Sequence, residues 1–100
     1  MIIPMFYRGY ILIRLKTIGT EWKVVEKLSK LRSTEPSELW KITYVTPIYG
    51  GWDVMVECSF TELHELDKIV TFMRVDEEVS PWIEETTTLV SSRPDYTNGN

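Results

Sequence analysis

An α+β fold, with its elements in the order β-α-β-β-α-β, is what this 100-residue sequence predicts. Three observations carry the prediction. Gly9–Lys16 (GYILIRLK) alternates with the period of a strand, and so does Leu39–Thr46 (LWKITYVT). Thr20–Arg32 and Ser59–Val75 instead carry apolar residues at the helical spacing. Turn residues stand between these segments, and a chain of this length suits a single domain.

The elements follow in order. In Gly9–Lys16, Ile11, Ile13 and Leu15 share one face, while Tyr10, Leu12, Arg14 and Lys16 share the other. In Thr20–Arg32, Trp22, Val25, Leu28 and Leu31 form the apolar stripe, with Val24 beside it; Thr20 suits the N-cap and Glu21 the positive end of the helix dipole. Ser33–Glu38 is a loop broken by Pro36, and Pro47–Gly51 is the turn after the second strand. Trp52–Cys58 (WDVMVEC) is the third strand, with Val54, Val56 and Cys58 on one face and Asp53, Met55 and Glu57 on the other. Ser59–Val75 is the second helix: Ser59 and Glu62 have capping-box spacing, and Leu63, Leu66, Ile69, Val70 and Met73 form its stripe. After a loop at Asp76–Pro81, Trp82–Val90 (WIEETTTLV) is the fourth strand, with Ile83, Thr87 and Leu89 on one side. The expected division is an N-terminal extension over 1–8, a domain over 9–91 and a frayed tail over 92–100.

Four strands and two crossovers in this order give a ferredoxin-like sandwich, one antiparallel sheet with both helices on one face. The other sheet face then needs cover. Tyr10, Leu12 and Met55 are placed there, and an open apolar face of this kind is expected to form a dimer.

Composition narrows the function. The net charge is −4 and the 11 Lys and Arg residues are scattered, so the basic footprint of a nucleic-acid binder is missing. Cys58 is the single cysteine, which forbids an internal disulfide and suits a reducing compartment. Met1–Tyr7 is too short and too interrupted by Pro4 for a membrane or signal segment, leaving the cytoplasm as the expected location. The chain has no glutamine, and its only asparagines are Asn98 and Asn100; this avoidance of thermolabile amides points to a thermophilic source.

Few residues offer chemistry. His64, the single histidine, falls off the apolar stripe and reads as a solvated surface residue rather than a catalytic base. One histidine and one cysteine cannot build a zinc site, and Glu84 and Glu85 point to opposite faces of a strand, so neither a metal nor a cofactor is expected. Cys58 reads as a buried structural thiol.

Tyr49-Gly50-Gly51-Trp52-Asp53 is the more suggestive stretch. Two glycines allow close approach by a ligand, amide N–H groups of such a turn can receive a carboxylate, and Asp53 can receive an ammonium while Trp52 walls off the aliphatic part. Those are the parts needed to hold a free α-amino acid. The plainer reading is a hairpin turn whose aspartate accepts backbone bonds, and spacing alone favours it because such turns are common. Thr86 and Thr88 share a strand face and could complete a polar pocket, or could stand there for β-propensity alone.

These stretches together, namely YILIRLK before a helix with VVEKLSKL, then YGGWDVMVE, then ELHELDKIV and IEETTTLV, resemble the effector-binding domain (the RAM module) of the Lrp/AsnC transcription regulators. The resemblance covers about residues 9 to 91, and its most specific part is the Gly-x-aromatic-Asp turn. It implies a stand-alone RAM module lacking the helix-turn-helix of that family, assembled as dimers that join into rings. The implied effector is a free amino acid held between dimers by Gly50, Gly51, Trp52, Asp53, Thr86 and Thr88. Gly51 stands where members of the family often carry an acidic or bulkier residue, and the loop before the last strand lacks their usual glycine.

The expectation is therefore a non-catalytic amino-acid-binding regulatory oligomer that contacts neither nucleic acid nor membrane directly. One alternative is an interaction protein that co-assembles with full-length Lrp/AsnC-type regulators without a ligand. A second is a small dimeric enzyme, which would need a poised acid or base beyond what His64 offers.

Overall fold

The computed structural model describes residues 5–94. The elements are β1 (Tyr7–Leu15), α1 (Glu21–Ser29), β2 (Lys41–Pro47), β3 (Val54–Phe60), α2 (Leu63–Val75), a short 3-10 turn (Ser80–Trp82) and β4 (Ile83–Val90). The strands form one antiparallel four-stranded sheet in the order β2-β3-β1-β4, the predicted ferredoxin-like arrangement.

The period of two in β1 decides which way the sheet faces. Ile11 pairs with Val56 and Ile13 with Val54, and all four are fully buried. They pack with Val24 and Leu28 of α1 and with Leu66, Ile69 and Met73 of α2, and Trp40 and Val79 belong to the same buried cluster. Each aliphatic side chain so buried stabilises the fold by roughly 1.5–3 kcal/mol. α1 lies against β2, and α2 against β3 and the 3-10 turn, while β4 pairs with β1 along the sheet edge and sets Ile83 against the core.

Gly9 lies at a close approach in this core. A Cβ there would stand 2.9 Å from Cys58 Sγ and 3.0 Å from Leu66 Cδ1. Cys58 itself is fully buried, and burial pushes its thiol up to about 11. The native protein is therefore expected to resist a thiol reagent at pH 8 and to react only on unfolding; stoichiometric labelling within minutes under native conditions would show that the β1–β3 face opens.

Several local expectations are corrected. The second helix does not start at Ser59. Ser59 and Phe60 continue β3, paired with Arg8 and Tyr7, and the rings of Phe60 and Tyr7 stack at 6.1 Å. Cys58 is consequently three pairs inside the β1–β3 ladder rather than beside a helix N-terminus. The capping box moves to Glu62 and Glu65, each side chain accepting the other's backbone N–H. Glu65, only 2 % exposed, also accepts the N–H of Leu39 at 2.9 Å and of Thr61 at 2.7 Å, and the Thr61 hydroxyl at 2.9 Å. It thus ties the loop before β2 to the start of α2. Leu63, assigned to the apolar stripe of α2, is instead exposed.

α1 is shorter than its pattern suggests. It stops at Ser29, and Arg32 is already bridged to Lys41. Trp22, expected on its buried stripe, is 71 % exposed; Val24, Val25 and Leu28 are the residues that pack. Thr20 holds the N-cap position, but its hydroxyl donates to the Thr17 carbonyl instead of capping. β1 begins at Tyr7, two residues before its predicted start, and the expected fraying of the tail falls largely on 95–100, outside the described residues.

Candidate functional site

The turn between β2 and β3 is built by backbone geometry that only glycine adopts easily. Gly50 and Gly51 have φ of +103° and +93°, and nothing lies within 4 Å of a Cβ placed on either. The Ile48 N–H closes the loop on the Asp53 carbonyl at 3.0 Å. Among the described residues, the N–H groups of Gly50, Gly51 and Trp52 find no acceptor.

Asp53 has two duties available to its two oxygens. Its N–H donates to the Ile13 carbonyl at 2.8 Å, and its Oδ2 accepts the Leu15 N–H at 2.7 Å. The carboxylate thus takes the place of a strand carbonyl and extends the β1–β3 ladder past Val54, which explains an acid at the mouth of an apolar strand. Oδ1 makes no hydrogen bond among the described residues. Asp53 lines a cleft of about 440 Å³, with Ile18, Glu21 and Trp22 on the α1 side and Pro47, Ile48 and Tyr49 on the turn side.

Trp52 does not line that cleft. The guanidinium carbon of Arg14 lies 4.6 Å above the Trp52 ring, and Arg14 Nε donates to the Gly51 carbonyl at 3.0 Å. The same guanidinium pairs with Glu85 on β4. Arg14 therefore buttresses the turn from β1, a role that alternation alone left unassigned.

Thr86 and Thr88 pair with Ile13 and Ile11, so both lie on the helix-side face of the edge strand β4. Thr86 lines a second groove of about 350 Å³, together with Met73, Arg74, Ser80 and Ile83–Glu85. Within one chain Thr86 and Asp53 thus line separate clefts, and Thr88 lines neither of them.

Tyr10, Leu12 and Met55 lie on the opposite sheet face. Leu12 pairs with both Met55 and Thr87, and Tyr10 with Glu57 and Leu89. Tyr44, opposite Glu57, and Leu89 are exposed there. Ion pairs border this apolar centre, Arg8 with Glu57 and Arg14 with Glu85.

His64 is exposed, with Nδ1 3.1 Å from Glu62. Among the described residues, no three His, Cys, Asp or Glu side chains gather where they could hold a metal ion, and no helix is long and apolar enough to cross a membrane.

Solved structures share this fold. A hypothetical protein of Pyrococcus horikoshii, PHS023, superposes with a TM-score of 0.61 at 25 % identity, over 85 % of this chain and 88 % of its own. FFRP-DM1 does so with the same score and identity, over 85 % of this chain and 97 % of its own. PH0061 reaches a TM-score of 0.63 at 15 % identity, with 93 % of this chain covering 60 % of the longer protein, and so speaks for the fold alone. No protein-family model and no curated protein matches the sequence.

Proposed function

We propose that this chain is a non-catalytic regulatory module of the Lrp/AsnC type that binds a free amino acid and works as an oligomer in the control of amino-acid metabolism or transcription. The observation that carries the reading is the juxtaposition, in one exposed turn, of N–H groups without acceptors on two left-handed glycines and a carboxylate with one oxygen unengaged. The first can receive an α-carboxylate and the second an α-ammonium. The shared fold of FFRP-DM1, whose prefix denotes a feast/famine regulatory protein, supports a regulatory rather than catalytic setting.

The open sheet face supports the oligomeric part of this reading. An apolar centre of Tyr10, Leu12 and Met55 bordered by ion pairs suits a second copy turned against it. The threonines of β4 would reach an effector at Asp53 only from a neighbouring subunit, so the ligand would favour whichever assembly completes its site. A second reading rests on the same face: co-assembly with full-length regulators, with no ligand at all.

Asp53→Asn tests the reading, because the amide oxygen can still accept the Leu15 N–H while the charge is gone. An effector found by thermal shift among the twenty amino acids is expected to bind this variant about 30- to 150-fold more weakly, the equivalent of losing about 2–3 kcal/mol from a half-buried charge pair. Undiminished affinity by calorimetry would remove Asp53 from the site, and a stable oligomer that responds to no amino acid would favour the co-assembly reading.

A further inference from the structure

The cleft beside Asp53 carries more than an α-amino acid's head group requires. Ile18, Trp22 and Tyr49 are among the most exposed large apolar residues of the chain, and all three line this one cleft. Exposed apolar side chains gathered around one cleft suit a binding surface. A second carboxylate joins them. Glu21, in the first turn of α1, accepts the Gly19 N–H at 2.7 Å through Oε1, which fixes its side chain and leaves Oε2 uncommitted among the described residues. The lining therefore holds two acids, two aromatic rings and no cation.

We propose, on the footing of the amino-acid reading above, that the effector is a basic amino acid such as lysine, ornithine or arginine. Its α-ammonium sits at Asp53, and its side-chain cation sits beside Glu21 against the faces of Trp22 and Tyr49. Indole and phenol faces attract a cation through their quadrupoles, and a carboxylate at the same point completes the charge balance. A neutral aliphatic side chain would strip water from Glu21 and return nothing to it, which costs binding. An acidic side chain would meet two like charges. The cleft's volume of about 440 Å³ lies within the range of small-molecule sites.

The test is calorimetric titration of the full chain with L-lysine, L-norleucine and cadaverine. Norleucine keeps the amino-acid head and an alkyl side chain but no second cation; cadaverine keeps the cations but no carboxylate. Lysine is expected to bind at least about tenfold more tightly than either. In Glu21→Gln, which retains an oxygen for the Gly19 N–H, lysine should fall to the level of norleucine while norleucine is unchanged. Trp22→Leu should weaken lysine about threefold or more and remove part of the ligand-induced change in tryptophan emission. Equal binding of norleucine and lysine overturns the basic side chain and leaves the amino-acid reading standing. Cadaverine binding as tightly as lysine overturns the amino-acid reading. Silence toward all three, and toward the rest of the twenty amino acids, overturns both.

Discussion

Glu65→Ala is expected to destabilise the protein by about 2–4 kcal/mol, because it leaves four part-buried donors without their acceptor. The carboxylate, 2 % exposed, accepts three backbone N–H groups, those of Leu39, Thr61 and Glu62, and the Thr61 hydroxyl. Leu39 lies 26 residues away along the chain, so the loss loosens the approach to β2 as well as the first turn of α2. Glu65→Gln keeps one oxygen and should lose about half as much. Urea denaturation reads both directly; an unfolding free energy for Glu65→Ala within about 1 kcal/mol of the parent would mean that water replaces the network.

Acid should act on the same group. Burial favours the protonated form of Glu65, but the hydrogen bonds from Thr61, Leu39 and Glu62 outweigh it and hold the carboxyl below its usual 4.5. A folded-state value below the unfolded one adds stability that is fully present above about 4.5 and is lost as the pH falls through the folded value. The parent protein should therefore lose stability more steeply below pH 4.5 than Glu65→Gln does.

Gly9→Val should be comparably severe, at about 3 kcal/mol or more, by overpacking. Even a single Cβ at this position would meet Cys58 Sγ at 2.9 Å, Leu66 Cδ1 at 3.0 Å and a Phe60 ring carbon at 3.3 Å. Gly9→Ala should cost about 1–3 kcal/mol, and Cys58→Ala in the same chain should recover part of it by removing the sulfur. Additive losses in the double variant would show that the crowding lies elsewhere.

Much of the architecture was legible because burial imposes periodicity. Ile11, Ile13 and Leu15 announce one sheet face, and Leu66, Ile69 and Met73 one helix face, whatever their partners. Boundaries were less so, because distant pairing sets them. Ser59 has the chemistry of a cap, yet Arg8 and Lys41 hold it in the ladder, and the cap passes to Glu62. Trp22 stands three residues before Val25, but the buried face of α1 centres on Val24, Val25 and Leu28 and leaves the indole of the first turn outside. At the turn, the glycines and Asp53 stood out by composition, and the carboxylate's bond runs to Leu15 of the neighbouring strand β1 and not within the hairpin. Glu21 was legible only as a partner of the helix dipole, Tyr49 as a turn residue and Arg14 by its strand face. Their place depends on which strand and which helix the turn comes to rest against.

The edge position of β4 has a mechanical consequence. Ile83–Val90 is the edge of the sheet and pairs along one side only, with β1. Gly9 and Val90 face each other across the outermost of those rungs, so the chain enters and leaves the ladder at the same end. Tension between the two ends of the domain would load these bonds one after another, as in an opening zip, instead of shearing them together. The molecule would yield to a pull at low force and from one side, baring Ile11 and Ile13 while the β1–β3 seam stayed shut.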